Sequence, residues 1–277
     1  MMRILVATGG ATHSDVAIRL GGNLARFLGA ELALLTVVLD DEGLPAARER
    51  LVRGLEFLPA DLRAEVATEV RIGEVAREIV SAAREGNYNL IVVGERPRHT
   101  LWSRLLSPIS ERVIARAHCP VLIAKSVSDK FQQILICESG MEGRPLLERL
   151  TATLPSLITD ETDVTVLHVM SQISAAPGVR GWQLRADAEA LIAAQTPEGE
   201  LLEHDLSLLE ETEAHPHAKI RHGRVVEEIL DEAACADYDL IVIGAHRTEG
   251  WQKLLLDDIA HQLIGRIKKP LLVVQAQ

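Results

Sequence analysis

The seven residues YNLIVVG at positions 88–94 occur again, with two changes, as YDLIVIG at positions 238–244. The distance between them is 150 residues, and without a gap residues 71–125 match residues 221–275 at 18 of 55 positions. A repeat of this length indicates two copies of one structural unit. The repeated segment is a short, continuous apolar run, which is typical of a strand buried on both faces of a parallel sheet.

The beginnings of the two copies correspond as well. The matching pairs are RILVATGG (3–10) with QILICESG (133–140), and ELALLTVV (31–38) with DVTVLHVM (163–170). Their offsets are 130 and 132 residues, so the second copy carries an insertion of 18 residues before position 221. We therefore predict a first domain at 1–126, a polar boundary at 126–130, and a second domain at 131–277 with its insertion near 171–216.

Each copy alternates short apolar runs with amphipathic stretches, which predicts an α/β fold with βαβ units and a parallel sheet. The predicted elements of the first copy are strands at 3–8, 31–38, 66–71, 89–94 and 120–125, and helices at 14–28, 44–57, 74–86 and 108–118. In the second copy, residues 181–214 predict one interrupted helix or two helices, with the break near TPEG at 196–199.

The composition excludes several classes of partner. The net charge of −11 opposes binding to a phosphate backbone, and with only 3% aromatic residues there is little surface on which bases could stack. No apolar run is long enough to cross a membrane. Cys119, Cys137 and Cys235 form no CxxC pair, which favours a reducing compartment. We expect no nucleic-acid partner, no membrane partner and a cytoplasmic location.

The duplicated pattern resembles the universal stress protein family in its tandem form. The resemblance covers the whole chain and rests on ILVATGGATHS (4–14), LGAELALLTVV (28–38), the strand quoted first and the CPVLIAK ending (119–125). It implies two Rossmann-like domains, each a five-stranded parallel sheet flanked by helices, arranged as an intramolecular pseudo-dimer. Because the family pairs its domains through the last strand, we expect the halves to associate through their terminal strands. The family's roles lie mostly in stress tolerance and signalling, and some members bind ATP.

ATP-binding members follow their fourth strand with a glycine, a second glycine after two residues, and a glycine with serine or threonine nine residues later. The glycines let phosphate approach the backbone, and the last pair lies at a helix N-terminus. In the first half Gly94 is kept, but Pro97 and the pair Ser107–Pro108 replace the rest. Proline has no N–H and a fixed φ, so donors and flexibility are lost. We interpret Ser107 as the N-cap and Pro108 as the first residue of a helix.

The second half departs further from this loop. It keeps Gly244 and has Arg247, Asp257 and Asp258 at the other positions. Each carboxylate would repel a phosphate charge by on the order of 4 kcal/mol at ~4 Å and an effective dielectric constant of ~20. A charge-assisted hydrogen bond returns only about 1.5–3 kcal/mol, so we expect this half to exclude triphosphates.

Residues at the ends of the first and second strands of each half match the family's pattern only in part. The aspartate that ATP-binding members usually carry after the first strand is replaced by Gly9 and Ser139, whereas Val37 and the pair His168–Val169 match the family. The first-half candidates for ligand binding are Gly9, Gly10, Val37, Gly94, Arg96, Arg98, Arg104, Ser107 and Ser110. Their second-half equivalents, which we predict to be degenerate, are Ser139, Gly140, Val169, Gly244, Arg247, Asp257 and Asp258.

Charge separates the two halves. Residues 1–126 carry 16 basic and 15 acidic side chains, whereas residues 127–277 carry 13 basic and 25 acidic ones. An anion therefore favours the first half, where Arg96, Arg98 and Arg104 share one loop. The alternative is that this loop is only solvated.

Two further motifs have structural interpretations. TGGATHSD (8–15) resembles the SGG-x-D-S loop of ATP pyrophosphatases with its aspartate displaced, and we interpret its glycines as a tight turn. In HPHAKIRH (215–222), strand alternation separates the third histidine from the first two, so we predict no metal site.

The sequence therefore predicts a protein without catalytic residues or a bound cofactor. It is expected to be a tandem universal stress protein with degenerate nucleotide loops that acts in stress response or signalling through protein contacts or a small ligand. The alternative is ATP binding by a non-standard phosphate loop in the first half.

Overall fold

The structure, a computed structural model, describes residues 1–95, 108–139, 144–171, 183–245 and 258–275. Several predicted site residues lie outside these ranges, namely Arg96, Arg98, Arg104, Ser107, Gly140, Arg247 and Asp257. The side chain of Asp258 is likewise not described, although its backbone is. The described residues of the site are those that flank the two predicted loops.

The first half has the predicted order of elements. Its strands are β1 (Arg3–Ala7), β2 (Glu31–Val38), β3 (Ala67–Ile72), β4 (Leu90–Gly94) and β5 (Val121–Ala124). Its helices are α1 (Thr12–Leu28), α2 (Leu44–Leu55), α3 (Val75–Glu85) and α4 (Ile109–Arg116). All bounds lie within two residues of the predicted ones. One detail of the prediction is wrong. Pro108 was expected to be the first helical residue of α4, but it is the N-cap, because its ψ of 154° is not helical.

Local sequence explains where these elements end. The buried side chains of α1 recur at helical spacing, as in Leu20, Leu24 and Leu28. Gly29 then adopts a left-handed conformation with φ of 60°, and its N–H bonds back to the carbonyls of Ala25 and Arg26. Glycine is favoured here because side chains with a Cβ rarely adopt this conformation.

The second half repeats the arrangement and adds the inserted helices. Its elements are β6 (Gln133–Glu138), α5 (Leu146–Thr153), β7 (Asp163–Ser171), α6 (Ala188–Ala193), α7 (Pro197–Glu210), β8 (His215–Gly223), α8 (Val225–Cys235), β9 (Leu240–Ala245), α9 (Asp258–Arg266) and β10 (Leu271–Gln275). The segment between β7 and β8 thus contains two helices, the second of the two predicted alternatives, where the first half has α2 alone. The Thr196 hydroxyl caps α7 by accepting the N–H of Gly199 at 3.1 Å.

All ten strands form a single sheet in the order β3-β2-β1-β4-β5-β10-β9-β6-β7-β8. Strands are parallel within each half, and the halves join where β5 pairs with β10 in antiparallel orientation, with Leu122 opposite Leu272. The expected association through the terminal strands is therefore present, and it merges two five-stranded sheets into one. This pairing removes two apolar edges that would otherwise be open to other chains.

The contacts beside this junction follow the sequence repeat. Lys125 Nζ donates to the carbonyl oxygen of Ile264, and Gln275 Nε2 donates to the carbonyl oxygen of Ile114 at 3.4 Å. Gln275 lies 150 positions after Lys125, and Ile114 lies 150 positions before Ile264, so the two contacts are equivalent under the repeat. Each half thus satisfies a carbonyl in the last helix of the other half, as expected for a pseudo-two-fold arrangement.

Two apolar layers cover the sheet. One layer contains side chains of α1, α2, α5 and α7, and the other contains side chains of α3, α4, α8 and α9. Central strands such as β4 and β9 are almost completely buried, which explains their continuous apolar sequence. Within the described ranges, no helix is long and apolar enough to cross a membrane.

Candidate functional site

In a parallel α/β sheet, a crevice forms where the loops after two neighbouring strands turn to opposite faces, and each half of this chain has one such point. In the first half β1 lies between β2 and β4, so the loops that follow β1 and β4 turn to opposite faces of the sheet. Gly9 and Gly10 follow β1, and Gly94 ends β4. The fold therefore brings these three predicted residues to the same carboxyl edge, with Val37 one strand away near the end of β2.

The glycines after β1 form a tight entry into α1. The N–H of Gly9 donates to Ser14 Oγ at 3.0 Å, and Gly10 has a φ of 76°, which side chains with a Cβ rarely adopt. A Cβ at Gly10 would lie 2.7 Å from Cδ of Arg50, which comes from α2. Arg50 was not predicted, because only the folded chain brings α2 to this edge. No ion pair of Arg50 is present in the described part of the chain, so it adds positive charge there.

Gly94 has a packing role. A Cβ at this position would lie 2.2 Å from the carbonyl oxygen of His13 in the first turn of α1. The end of β4 therefore approaches the backbone of α1 more closely than any other residue type would allow. The glycine that resembles part of a phosphate loop is required by the fold itself.

Ser110 is a buried polar residue in the first half. It is the second residue of α4, it is 2% exposed, and its Oγ has no hydrogen-bond partner among the residues that the structure describes. Its equivalent 150 positions later is Ala260. A buried hydroxyl without a partner costs about 1–3 kcal/mol, so this serine is not explained by stability.

The charges of Lys125 and Glu95, beside the end of β4, are paired with each other. Lys125 Nζ lies 2.7 Å from a carboxylate oxygen of Glu95, and the Lys125 side chain is only 4% exposed. Glu95 directly follows β4, at the start of the loop predicted to bind an anion. Its carboxylate is therefore engaged by Lys125.

The corresponding edge of the second half is occupied by a carboxylate of the chain. Glu138 ends β6, is 5% exposed, and accepts the N–H groups of Ser139 at 3.0 Å and Leu146 at 2.8 Å. Because Leu146 is the first residue of α5, this carboxylate satisfies the helix N-terminus that a ligand could otherwise use. The buried imidazole of His168 contacts the Glu138 carbonyl through Nδ1 at 3.1 Å, and burial lowers the pKa of His168.

Arg149 fills the space beside Gly244. It is 8% exposed, and its Nη1 donates to the carbonyl oxygen of Val274 at 3.3 Å. A Cβ at Gly244 would lie 3.2 Å from its Nη2. Burial lowers the pKa of Arg149, and the nearby Glu138 carboxylate opposes that shift. Gly94 of the first half therefore packs against the backbone of His13, whereas Gly244 of the second half packs against the guanidinium of Arg149.

Asp205 is a second buried group that sequence analysis missed. It lies on α7, is 0% exposed, and neither carboxylate oxygen has a hydrogen-bond partner in the described ranges. Burial, together with the nearby Glu138 and Glu148 carboxylates, raises the pKa of Asp205 to about 8. The helical spacing of Leu202, Asp205 and Leu209 already places this aspartate on an apolar face, and that pattern could have identified it.

The remaining predicted residues have simpler positions. Val37 and Val169 are partly buried and pack against the core. Asp258 begins α9, which agrees with the expected helix start. His222 Nε2 lies 2.8 Å from the Ala186 carbonyl, while His215 and His217 are exposed on β8. Within the described ranges, no three His, Cys, Asp or Glu side chains are grouped as a metal site would need.

Comparison with known proteins adds to this geometry. The model of the Universal stress protein family matches residues 1–125 and again residues 142–275. Universal stress protein MJ0531 of Methanocaldococcus jannaschii is 29% identical over 138 residues, covering 44% of this chain and 81% of that protein. A universal stress protein of Mycolicibacterium smegmatis is 24% identical over 217 residues, covering 76% of this chain and 69% of that protein. The crystal structure of a universal stress protein from Archaeoglobus fulgidus covers 99% of this chain and 98% of its own, with a TM-score of 0.66 at 18% identity, which is a likeness of fold.

Proposed function

We propose that this chain, which belongs to the universal stress protein family and carries two copies of its domain, binds a small anion in its first half and does not hydrolyse ATP. In this proposal the second half is a supporting domain without a ligand. The protein would act in stress response or signalling through that ligand or through protein contacts. A cytoplasmic location is part of the proposal, because Cys119, Cys137 and Cys235 are all free thiols, as is typical of a reducing compartment.

The observation that carries the proposal is the carboxylate of Glu138 at the start of α5. It uses the backbone donors of Ser139 and Leu146, and it adds negative charge to the crevice. A phosphate there would lose those donors and be repelled at short range. Arg149 also takes up space beside Gly244, at the point where a ligand would approach β9.

The first half offers the opposite environment. Position 8, equivalent to Glu138, is a threonine, and Arg50 lies over Gly10. The unpartnered hydroxyl of Ser110, at the second residue of α4, is a donor that a ligand could use. These features support a ligand held by hydrogen bonds and positive charge.

Calorimetry with Mg-ATP, together with an assay for released phosphate, tests this proposal on the full chain. We expect no binding at micromolar concentration and no phosphate release. Loss of two or three charge-assisted contacts of about 1.5–3 kcal/mol each moves a micromolar site to millimolar or weaker. Turnover of ATP would contradict the proposal.

The alternative function, ATP binding through a non-standard loop of the first half, has a distinct outcome in the same experiment. Micromolar binding without turnover would support it, and Ser110→Ala should then weaken that binding. Ala260→Ser is the matched control, since it changes the equivalent position of the other half. Native mass spectrometry of the purified protein would identify a ligand that stays bound.

A further inference from the structure

A cavity lies on the outer surface of the first half, between α3 and α4. Its volume is about 230 Å³, and it is lined by Arg77, Val80, Ser81, Arg84 and Arg116. Three of these five residues are arginines, and none is acidic. The first half carries 16 basic and 15 acidic side chains, so this concave surface concentrates positive charge within a nearly neutral domain.

The charges of the cavity are only partly compensated. Arg116 lies 3.1 Å from a carboxylate oxygen of Glu74, which also pairs with Arg112. The side chains of Arg77 and Arg84 make no ion pair within the described part of the chain. The carboxylate of Glu85 lies 2.7 Å from Arg71, and hydrogen bonds from Arg71 and from Ser81 lower the pKa of this carboxyl. Two guanidinium charges therefore remain, which match the charge of about −1.5 to −2 on a phosphate group at pH 7.

The spacing on α3 brings these groups to one face. Arg77 and Arg84 are seven residues apart, which is about two helical turns or ~10.5 Å, and Ser81 lies between them. Arg116 approaches from the last turn of α4. Guanidinium groups bind phosphate through two parallel hydrogen bonds, and a lysine at these positions would lack that geometry.

The second half provides an internal comparison. The equivalents of the five lining residues are Glu227, Leu230, Asp231, Ala234 and Arg266. Arg266 is thus kept, but Glu227 replaces Arg77 and binds it through two contacts of 2.7 Å each. In this half an anion from the chain itself lies against the arginine. In the first half Arg77 stands at that position, and Arg116 pairs with Glu74, which lies outside the cavity lining and is shared with Arg112.

We propose that the cavity between α3 and α4 of the first half binds a phosphate group, either free or carried by a small molecule. Arg77 and Arg84 supply the main charge, and Arg116 contributes from the opposite helix. The volume is below the ~300 Å³ at which pockets for drug-sized ligands begin, so a whole nucleotide does not fit inside. The site is separate from the carboxyl edge and does not depend on the function proposed there.

Nuclear magnetic resonance of the arginine Nε–H groups in the full chain tests the proposal directly. Titration with inorganic phosphate at low salt should shift the signals of Arg77, Arg84 and Arg116 together, with a Kd of about 1 mM or below. A parallel titration with glycerol phosphate distinguishes the sources, because a phosphate carried by a small molecule should bind more tightly than free phosphate. Absence of a shift with both probes would overturn the proposal.

Two variants make the test specific. Arg77→Glu copies the second half by placing a carboxylate opposite Arg116, and it should weaken phosphate binding by at least about tenfold. It lies in the first turn of α3, where an acidic residue is favourable, so folding should be retained. The matched control is Arg48→Glu, which makes the same charge change at an exposed position of α2. Equal affinity in both variants would overturn the assignment.

A reciprocal variant asks whether the site can be transferred. Glu227→Arg combined with Asp231→Ser gives the second half the residues of the first at two positions, and it releases Arg266 from its carboxylate. Phosphate should then shift the Arg266 signal, which it should not do in the unmodified protein. A phosphate-dependent Arg266 signal in the unmodified protein would contradict the account.

Discussion

The two halves share one backbone plan but use opposite means to complete the carboxyl edge of their sheets. In the first half the edge is formed by backbone and small side chains, with Gly94 against the carbonyl of His13. In the second half it is formed by buried charged groups, namely Glu138 and Arg149. The second copy therefore fills, with its own charged side chains, the edge that we propose to bind a ligand in the first copy.

The largest expected effect concerns Asp205 in the second half. Its pKa is about 8 in the folded protein, against an ordinary value of 3.8. Below pH ~4 both folded and unfolded states hold the proton, whereas between pH ~4 and ~8 only the folded state does, so stability falls as pH rises through this window. Asp205→Asn removes the ionisation. The free energy of unfolding of the variant minus that of the wild type should increase by about 4 kcal/mol from pH 4 to pH 7.

Urea denaturation at several pH values measures this difference. The control is Asp160→Asn, at an exposed aspartate in the same half. If both variants show the same pH dependence, Asp205 has a partner that the present account lacks, and the contrast between the halves is weaker than described.

The second prediction compares the two glycines that end β4 and β9. Gly94→Ala places a Cβ 2.2 Å from a backbone oxygen, which can move only with α1, and should cost about 3 kcal/mol. Gly244→Ala places a Cβ 3.2 Å from the flexible end of Arg149, and should cost about 1 kcal/mol or less. Chemical denaturation of both variants measures the contrast. Equal losses would mean that the two edges are packed alike.

The smallest expected effect separates stability from binding in the first half. Ser110→Ala removes a buried hydroxyl without a partner, so the free energy of unfolding should rise by about 1 kcal/mol while anion affinity falls. Ala260→Ser makes the reverse change in the second half and should destabilise by a similar amount. A loss of stability in Ser110→Ala would show that the hydroxyl serves the fold and not a ligand.

The sequence predicted the fold well because its strongest patterns are those that packing imposes. Strands such as β4 and β9 are continuous apolar runs because helices cover both faces of the sheet. The repeat at 150 residues shows each strand pattern twice in the sequence, which strengthens its assignment. The pairing of β5 with β10 was also predicted, from the family resemblance and the apolar ends of both copies. The polar contacts around that junction, such as that between Lys125 and Ile264, could not be predicted because they join residues distant in the chain.

The candidate site was less accessible to sequence reasoning. Gly94 was selected for its resemblance to a phosphate loop, yet its contact with His13 gives it a structural role that a local pattern does not reveal. Glu138 and Arg149 were missed because no motif marks a charged residue that becomes buried by tertiary contacts. The predicted loop residues Arg96, Arg98, Arg104, Ser107, Gly140, Arg247 and Asp257 lie outside the described residues, and their roles stay predictions.

The central claim is that an anion has access to the first half and not to the second, and a pyrophosphate titration followed by backbone amide signals tests it most directly. The Arg77→Glu variant is the suitable protein, because its outer cavity should no longer contribute. We predict shifts at Gly9, Gly10, Gly94 and Ser110, with Ser139, Gly244 and Ala260 unchanged. Equal shifts in both halves, or shifts in the second half alone, would contradict the account.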